Sequence, residues 1–121
     1  MMYCKIEDMI GKVFTSVRVV NGEELIFENG TGVYKFYHYQ DCCEFVYIDD
    51  ICGELSDLEN TPLLAAEEVT SDDSELDSKG AESYTWTFYK FATIKGYVDV
   101  RWFGQSNGYY SESVDLTWEK K

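Results

Sequence analysis

The chain has 121 residues and a formal net charge of −13, because 23 acidic residues oppose 10 basic ones. This length fits one domain, residues 1–121, whose core needs no disulfide or metal for stability. The negative charge excludes direct binding to nucleic acid or to an anionic membrane, and it favours cations or basic protein surfaces as partners.

The start of the chain is predicted to form an antiparallel meander. Residues 6–10 fit a single helical turn. Alternating apolar and polar residues then predict three strands, at residues 13–20, 24–28 and 33–39. Asn21 and Gly22 favour a two-residue hairpin turn between the first two strands, since both residues tolerate a positive φ.

The middle of the chain is less regular. Residues 44–48 predict a short strand, and residues 63–69 predict another. Residues 49–58 predict a short helix, because their apolar side chains share one stripe at helical spacing. Residues 70–82 are rich in Ser, Asp and Gly, and we expect a mobile acidic loop there.

The last third carries the strongest β pattern, with strands predicted at residues 84–93, 97–103 and 109–118. Turns are expected at residues 95–96 and 104–108. Aromatic residues form 17% of the chain, which also favours strands. The predicted fold is therefore mainly β, α+β at most: an antiparallel meander of about seven or eight strands with one short helix near residues 49–58.

Few residues suggest catalysis or metal binding. The donor groups of His38, Asp41, Cys42, Cys43 and Cys52 are types that zinc accepts, but the paired C-x-x-C spacing of a zinc site is missing. The alternative is that the thiols pack as small apolar side chains. No sequence signature of a nucleophile or of a calcium loop is present. We therefore expect no enzymatic activity, no metal and no cofactor.

The start of the chain also bears on location. Glu7 and Asp8 stand where a signal peptide needs an apolar run. No apolar stretch reaches the length of a membrane span. The cytoplasm of a bacterial host is the expected location, and the cysteines are expected to be reduced there.

Residues 36–78 contain thirteen carboxylates and neither Lys nor Arg. Spaced carboxylates can imitate DNA phosphates and block a basic nucleic-acid-binding host protein such as a CRISPR nuclease. The alternative explanation is a solvated acidic face, which is what charge runs usually form. On the inhibitor hypothesis the partner-binding residues are Asp49, Asp50, Asp57, Glu67 and Glu68.

The turn between the last two predicted strands has the composition of a ligand site. Stacking rings beside amide, hydroxyl and guanidinium groups suit a nucleobase or a similar planar ligand. The alternative is an ordinary glycine-rich hairpin whose aromatic residues belong to the core. The predicted ligand-binding residues are Arg101, Trp102, Gln105, Ser106, Asn107, Tyr109, Tyr110 and Lys90.

Four strings resemble a family of small acidic phage and prophage proteins: YHYQDCCE (residues 37–44), VYIDDICGEL (46–55), YTWTFYK (84–90) and SNGYYS (106–111). That family is in turn similar to the phage anti-defence proteins that act as sponges in the Thoeris system. The resemblance implies a non-catalytic oligomer that sequesters a cyclic ADP-ribose-type signal or a cyclic oligonucleotide. The chain departs from a phosphate-binding pattern in having only two arginines, Arg18 and Arg101.

Two hypotheses of different class follow. The preferred one is a homo-oligomeric anti-defence protein that binds a small nucleotide-type immune signal. The alternative is the acidic DNA mimic, whose partner would be a basic host protein. An assembly role in a phage particle is a third possibility, with no sequence feature of its own.

Overall fold

Two antiparallel sheets form the fold in the computed structural model, which describes residues 2–40, 44–72, 83–106 and 112–121. The first sheet has the order β1-β9-β4-β3-β2. Its strands are β1 Met2–Tyr3, β2 Ser16–Val20, β3 Glu24–Glu28, β4 Gly32–Tyr37 and β9 Asp115–Lys120. The second sheet has the order β5-β8-β7-β6. Its strands are β5 Glu44–Cys52, β6 Ala65–Asp72, β7 Ser83–Thr93 and β8 Gly96–Ser106. The prediction of a mainly β chain is confirmed.

Aromatic rings join the two sheets in one core. The ring centroid of Phe27 on β3 lies 4.9 Å from that of Phe91 on β7, and Phe36 on β4 lies 4.7 Å from Tyr89 on β7. Every second residue of β4 and β8 is buried, which is the period expected of strands with one face on a core. The alternation seen in the sequence therefore orients each strand.

The C-terminal strand returns to the first sheet. It was predicted over residues 109–118 as the partner of the strand before it, and it runs instead over Asp115–Lys120 beside β4. Trp118 faces Tyr34 in this register, with ring centroids 6.4 Å apart. Packing between distant strands decided this pairing, so the chain is a two-sheet arrangement rather than one continuous meander.

The strand before it is longer than predicted. Residues 104–108 were expected to form a turn, but β8 continues through Gly104 to Ser106 between β5 and β7. Gly104 is required there, because a Cβ would lie 2.7 Å from the carbonyl oxygen of Glu112. The glycine that suggested a turn instead allows a close approach of two backbones.

The helix predicted near residues 49–58 is wrong. Its first residues extend β5, which pairs with β8 as far as Cys52. Gly53 then turns the chain with a φ of +108°, and a single 3-10 turn covers Leu55–Leu58. The apolar stripe that suggested a helix serves partly to place Leu58 in the core. Backbone pairing with β8 outweighs the weak helical preference of this segment.

Other boundaries differ in smaller ways. The first helical turn is a 3-10 turn at Ile6–Met9. Residues 70–72 of the predicted acidic loop belong to β6, and residues 73–82 lie outside the described part of the chain. Over the described ranges, no helix combines the length and the apolar character that crossing a bilayer requires.

Candidate functional site

The alternation of β8 divides the predicted ligand residues between two faces. Arg101 and Gln105 lie on the outer face of the second sheet, whereas Trp102 and Ser106 lie on the buried inner face. Trp102 is 0% exposed, so its ring is part of the core and not open to a ligand. Lys90 is exposed on β7. Asn107, Tyr109 and Tyr110 lie outside the described residues.

The outer face of the second sheet carries a cluster of rings centred on Phe103. The ring centroids of Tyr47, Tyr84 and Trp86 lie 5.8, 5.7 and 4.7 Å from that of Phe103. We call this surface the aromatic face and define it by residues of three adjacent strands, namely Phe45, Tyr47, Tyr84, Trp86, Phe88 and Phe103. Phe45, at its edge, is 70% exposed.

Such a face is unusual on the solvent side of a sheet. Period-two alternation normally places polar residues there, and contiguous exposed apolar surface commonly marks a binding site. The rings of the aromatic face come from β5, β7 and β8, so pairing of the three strands assembles a surface that no single segment contains. The arrangement can stack on a flat ligand or on another apolar surface.

Arg101 borders the aromatic face but already has a carboxylate partner. Its Nε and Nη2 atoms donate to the same Oδ2 oxygen of Asp49, at 2.9 and 2.5 Å. The guanidinium also lies over the ring of Trp86, with Cζ 5.1 Å from the centroid. Asp49 therefore neutralises the arginine that was predicted to hold a phosphate, while Trp86 fixes its orientation.

The acids of the inhibitor hypothesis do not form one patch. Asp49 and Asp50 lie on β5, and Glu67 and Glu68 lie on β6, at opposite edges of the second sheet. Three interstrand spacings, about 14 Å, separate the two edges. Asp57 lies in the 3-10 turn. Charges on edge strands also discourage edge-to-edge association, which is an ordinary structural reason for acids at these positions.

A buried carboxylate that the sequence analysis did not consider explains the burial of Ser106. The hydroxyl of Ser106 donates to Oε2 of Glu112, and Thr85 donates from Oγ1 to Oε1 of Glu112 at 2.7 Å. Glu112 also lies against Gly104, as the close contact above shows. These bonds tie the segment before β9 to β7 and β8.

His38 belongs to a similar buried pair. Its Nε2 lies 3.1 Å from Oε1 of Glu44, and its Nδ1 lies 2.7 Å from the carbonyl oxygen of Ser113. The side chains of His38 and Glu44 are only 5% and 1% exposed, which keeps both away from a substrate. Glu44 shares the inward parity of Val46 on β5, so an inward-facing acid was a readable signal for this pair.

The cysteines lie apart from His38 where they are described. Cys4 is half-buried near β9, and burial raises the pKa of its thiol, which reduces its reactivity. Cys52 is exposed at the far end of β5. Residues 41–43 are outside the described part. Across the ranges that are described, no three His, Cys, Asp or Glu side chains are grouped closely enough to hold a metal ion.

Comparison with known proteins places the chain in a family without naming an activity. A family profile described as "Domain of unknown function (DUF7448)" matches residues 7–116, which is nearly the whole chain. No curated protein and no solved structure matches the chain. The matched region includes the whole second sheet with all of the aromatic face, and β2, β3 and β4 of the first sheet. The chain belongs to the DUF7448 family.

Proposed function

We propose that this protein is a non-catalytic binding protein that sequesters a nucleotide-derived signal on its aromatic face. The observation that carries the proposal is the ring cluster around Phe103, which combines three neighbouring rings with an outer face open to solvent. Stacking of a base on an aromatic side chain contributes about 1–3 kcal/mol. Planar rings of the ligand would therefore lie on Tyr47 and Trp86.

Polar groups along β8 can orient the bound ligand. Gln105 and Phe103 share the outer face two residues apart, a separation of about 7 Å along the strand. The amide of Gln105 can therefore donate to and accept from the edge of a base stacked on Phe103. Arg101 lies on the same face two residues before Phe103, on the side opposite to Gln105. Along β8 the row therefore offers charge at Arg101, stacking at Phe103 and hydrogen bonding at Gln105.

Charge limits the kind of nucleotide. Arg101 is paired with Asp49, and Lys90 faces Asp99 and Glu67 across the neighbouring strands. The chain as a whole carries −13, although salt screens charges beyond about 8 Å at physiological ionic strength. A ligand with few phosphates, such as cyclic ADP-ribose or a cyclic dinucleotide, fits this surface better than a larger cyclic oligonucleotide.

Tight sequestration needs a second surface. Nanomolar binding corresponds to about −12 kcal/mol, which exceeds what stacking on one side can supply. A second copy of the chain, with its own aromatic face turned to the first, would cover the other side of the ligand. The proposal therefore includes a homo-oligomer, in which the ligand lies between two sheets.

Calorimetry with cyclic ADP-ribose isomers and cyclic oligonucleotides tests the proposal. Tyr47→Ala should weaken binding about tenfold, as expected for the loss of one stacking ring. Tyr97→Ala is the matched control, because Tyr97 is 82% exposed on the same outer face, about 20 Å along β8 from Phe103. The proposal would be overturned if no ligand of the panel gave a binding heat. It would also be overturned if both variants weakened binding equally.

The exposed acids on the edge strands support a second candidate, the inhibitor of a basic host protein. Asp50, Glu67 and Glu68 are exposed, and Glu68 also accepts a hydrogen bond from the hydroxyl of Tyr89 at 2.6 Å. Reversing the charges of Asp50, Asp57 and Glu67 should abolish capture of a basic partner and leave binding of a small ligand intact. If capture of the basic partner is unchanged both by these reversals and by the salt concentration, this candidate is ruled out.

A further inference from the structure

A cleft of about 810 Å³ opens between the two sheets on the side away from the aromatic face. The segment Tyr3 to Glu7 and the start of β9 form one wall, and Glu68 and Tyr89 of the second sheet form the other. This volume lies in the range of clefts that hold small organic ligands. The sequence analysis did not suggest it, because its walls come from four separate parts of the chain.

The inner end of the cleft is rigid. Tyr89 is buried, and its ring packs against Phe36 at 4.7 Å and stacks with Phe91 at 6.3 Å between centroids. The hydroxyl of Tyr89 donates to Oε2 of Glu68 at 2.6 Å, which holds that carboxylate at the cleft. A hydroxyl and a carboxylate are therefore presented together from a fixed ring.

The lining carries an excess of negative charge. Glu7, Glu68 and Asp115 line the cleft, and Lys5 is the basic residue among the lining side chains. The field of Asp115 raises the pKa of the Tyr3 hydroxyl, and burial followed by the hydrogen bond to Glu68 raises that of Tyr89. Both hydroxyls stay protonated and can accept a hydrogen bond from a cationic donor.

The rest of the lining is apolar, with Ile6, Val114 and Leu116 beside the carboxylates. Aliphatic surface next to separated carboxylates matches a molecule with a hydrocarbon stem and charged ends. A metal ion fits less well, because the described residues hold no group of three acidic, His or Cys side chains close enough to share one.

We infer that this cleft binds an organic cation, an aliphatic amine whose ammonium groups meet Glu68 and Asp115 while its carbon chain lies against Leu116. The inference does not rest on the function proposed for the aromatic face, because the two surfaces use opposite faces of the second sheet. Glu67 and Glu68 are adjacent on β6 and point to opposite sides, with Glu67 facing Lys90 across the outer surface.

That alternation offers a charge-matched test with spermidine as the probe. Calorimetry at constant ionic strength should show saturable binding to the unmodified chain. Glu68→Gln should weaken it about tenfold, as for loss of a close charge partner, while Glu67→Gln should change it by less than about twofold. Equal losses in the two variants would indicate diffuse attraction to an acidic protein and would overturn the inference, as would the absence of saturation.

Nuclear magnetic resonance of the unmodified chain gives a readout that no variant can disturb. Spermidine should shift the amide signals of Tyr3 to Glu7 and of residues 114–116, and it should leave those of residues 45–47 and 101–105 unchanged. Shifts confined to β5 and β8 would contradict the cleft as the site. Tyr89→Phe keeps the packed ring and deletes the hydroxyl, so weaker binding by this variant would support the geometry and unchanged binding would oppose it.

Discussion

The outer faces of the two sheets have opposite chemistry. The first sheet presents paired charges, with Arg18 2.9 Å and Lys121 2.5 Å from carboxylate oxygens of Glu28, and with Lys35 3.5 Å from Glu24. The second sheet presents the aromatic face, in which three rings surround Phe103 and the guanidinium of Arg101 lies over Trp86. Charges that pair within the sheet need no binding partner from outside the chain, whereas covering exposed rings with a binding partner is favourable, because it removes apolar surface from water.

This difference indicates which of the two outer faces is the better candidate for a binding surface. Both sheets use most of their inner faces for the shared core, so apart from the cleft between the sheets their outer faces are the surfaces available for other roles. The outer face of the first sheet is that of an ordinary solvated sheet. The aromatic face departs from that rule, and departures of this kind are expected at functional sites.

The largest expected effect is a difference in stability between two tryptophan variants, one on each face of the second sheet. Trp102 lies on the inner face and Trp86 on the outer face of adjacent strands. Trp102→Ala should lower the free energy of unfolding by about 3–5 kcal/mol, because it removes a buried ring from a packed core. Trp86→Ala should cost about 0.5–1.5 kcal/mol, the value of its ring contacts.

Guanidinium denaturation measures both effects. Midpoints that shift by similar amounts in the two variants would show that Trp86 is as structural as Trp102. In that case the aromatic face would be part of the stable scaffold, and its claim to a binding role would fail.

Self-association should depend on the aromatic face and not on the charged one. Phe45→Glu places a charge at the most exposed ring of the aromatic face, and it should weaken a homo-oligomer about tenfold or more. Lys35→Glu makes a charge change on the outer face of the first sheet and should leave assembly unchanged. Light scattering across a concentration series measures both. A monomeric unmodified chain, or equal loss in both variants, would contradict the proposed oligomer.

The smallest expected effect concerns the fall in stability of the folded chain at acidic pH. Hydrogen bonds from Lys121 and then Arg18 lower the pKa of Glu28 in the folded chain. A lowered pKa contributes stability above the ordinary pKa of a glutamate, and that contribution is lost as the pH falls through the lowered value. Glu28→Gln should therefore flatten the fall in stability on acidification: it should lose stability at pH 5 and above, and this loss should disappear as the pH falls from the ordinary value of 4.5 through the lowered pKa.

Thermal unfolding across that pH range is the measurement. The corresponding control is Glu67→Gln on the outer face of the second sheet. If stability falls equally steeply on acidification in Glu28→Gln and in the unmodified chain, Glu28 does not contribute to this pH dependence.

Local patterns were sufficient for the regular parts of the fold. The hairpin of β7 and β8 was predicted to within a few residues, because strong alternation flanks the turn at Lys95 and Gly96. The same period also implied that Arg101 and Trp102 cannot share a face, although the predicted site contained both. The alternating pattern was therefore correct. The predicted site was wrong because it combined residues from the two faces of the strand.

Other features had no local signal. The pairing of β9 with β4 joins residues about eighty positions apart, and the helix predicted near residues 49–58 gave way to pairing of β5 with β8. The inter-sheet cleft and the contact of His38 with the carbonyl oxygen of Ser113 likewise arise where distant segments meet. Contacts of this kind depend on the whole arrangement of strands.

The amino-acid sequence by itself determined the β class, the alternating faces of the best strands and the excess of acids, since each follows from residue type and from a period of two. The tertiary structure decided which faces meet in the core, which rings remain in solvent and which carboxylates line a cleft. The physical reason is that burial is a property of sheets packed together, and a single strand does not specify its partner.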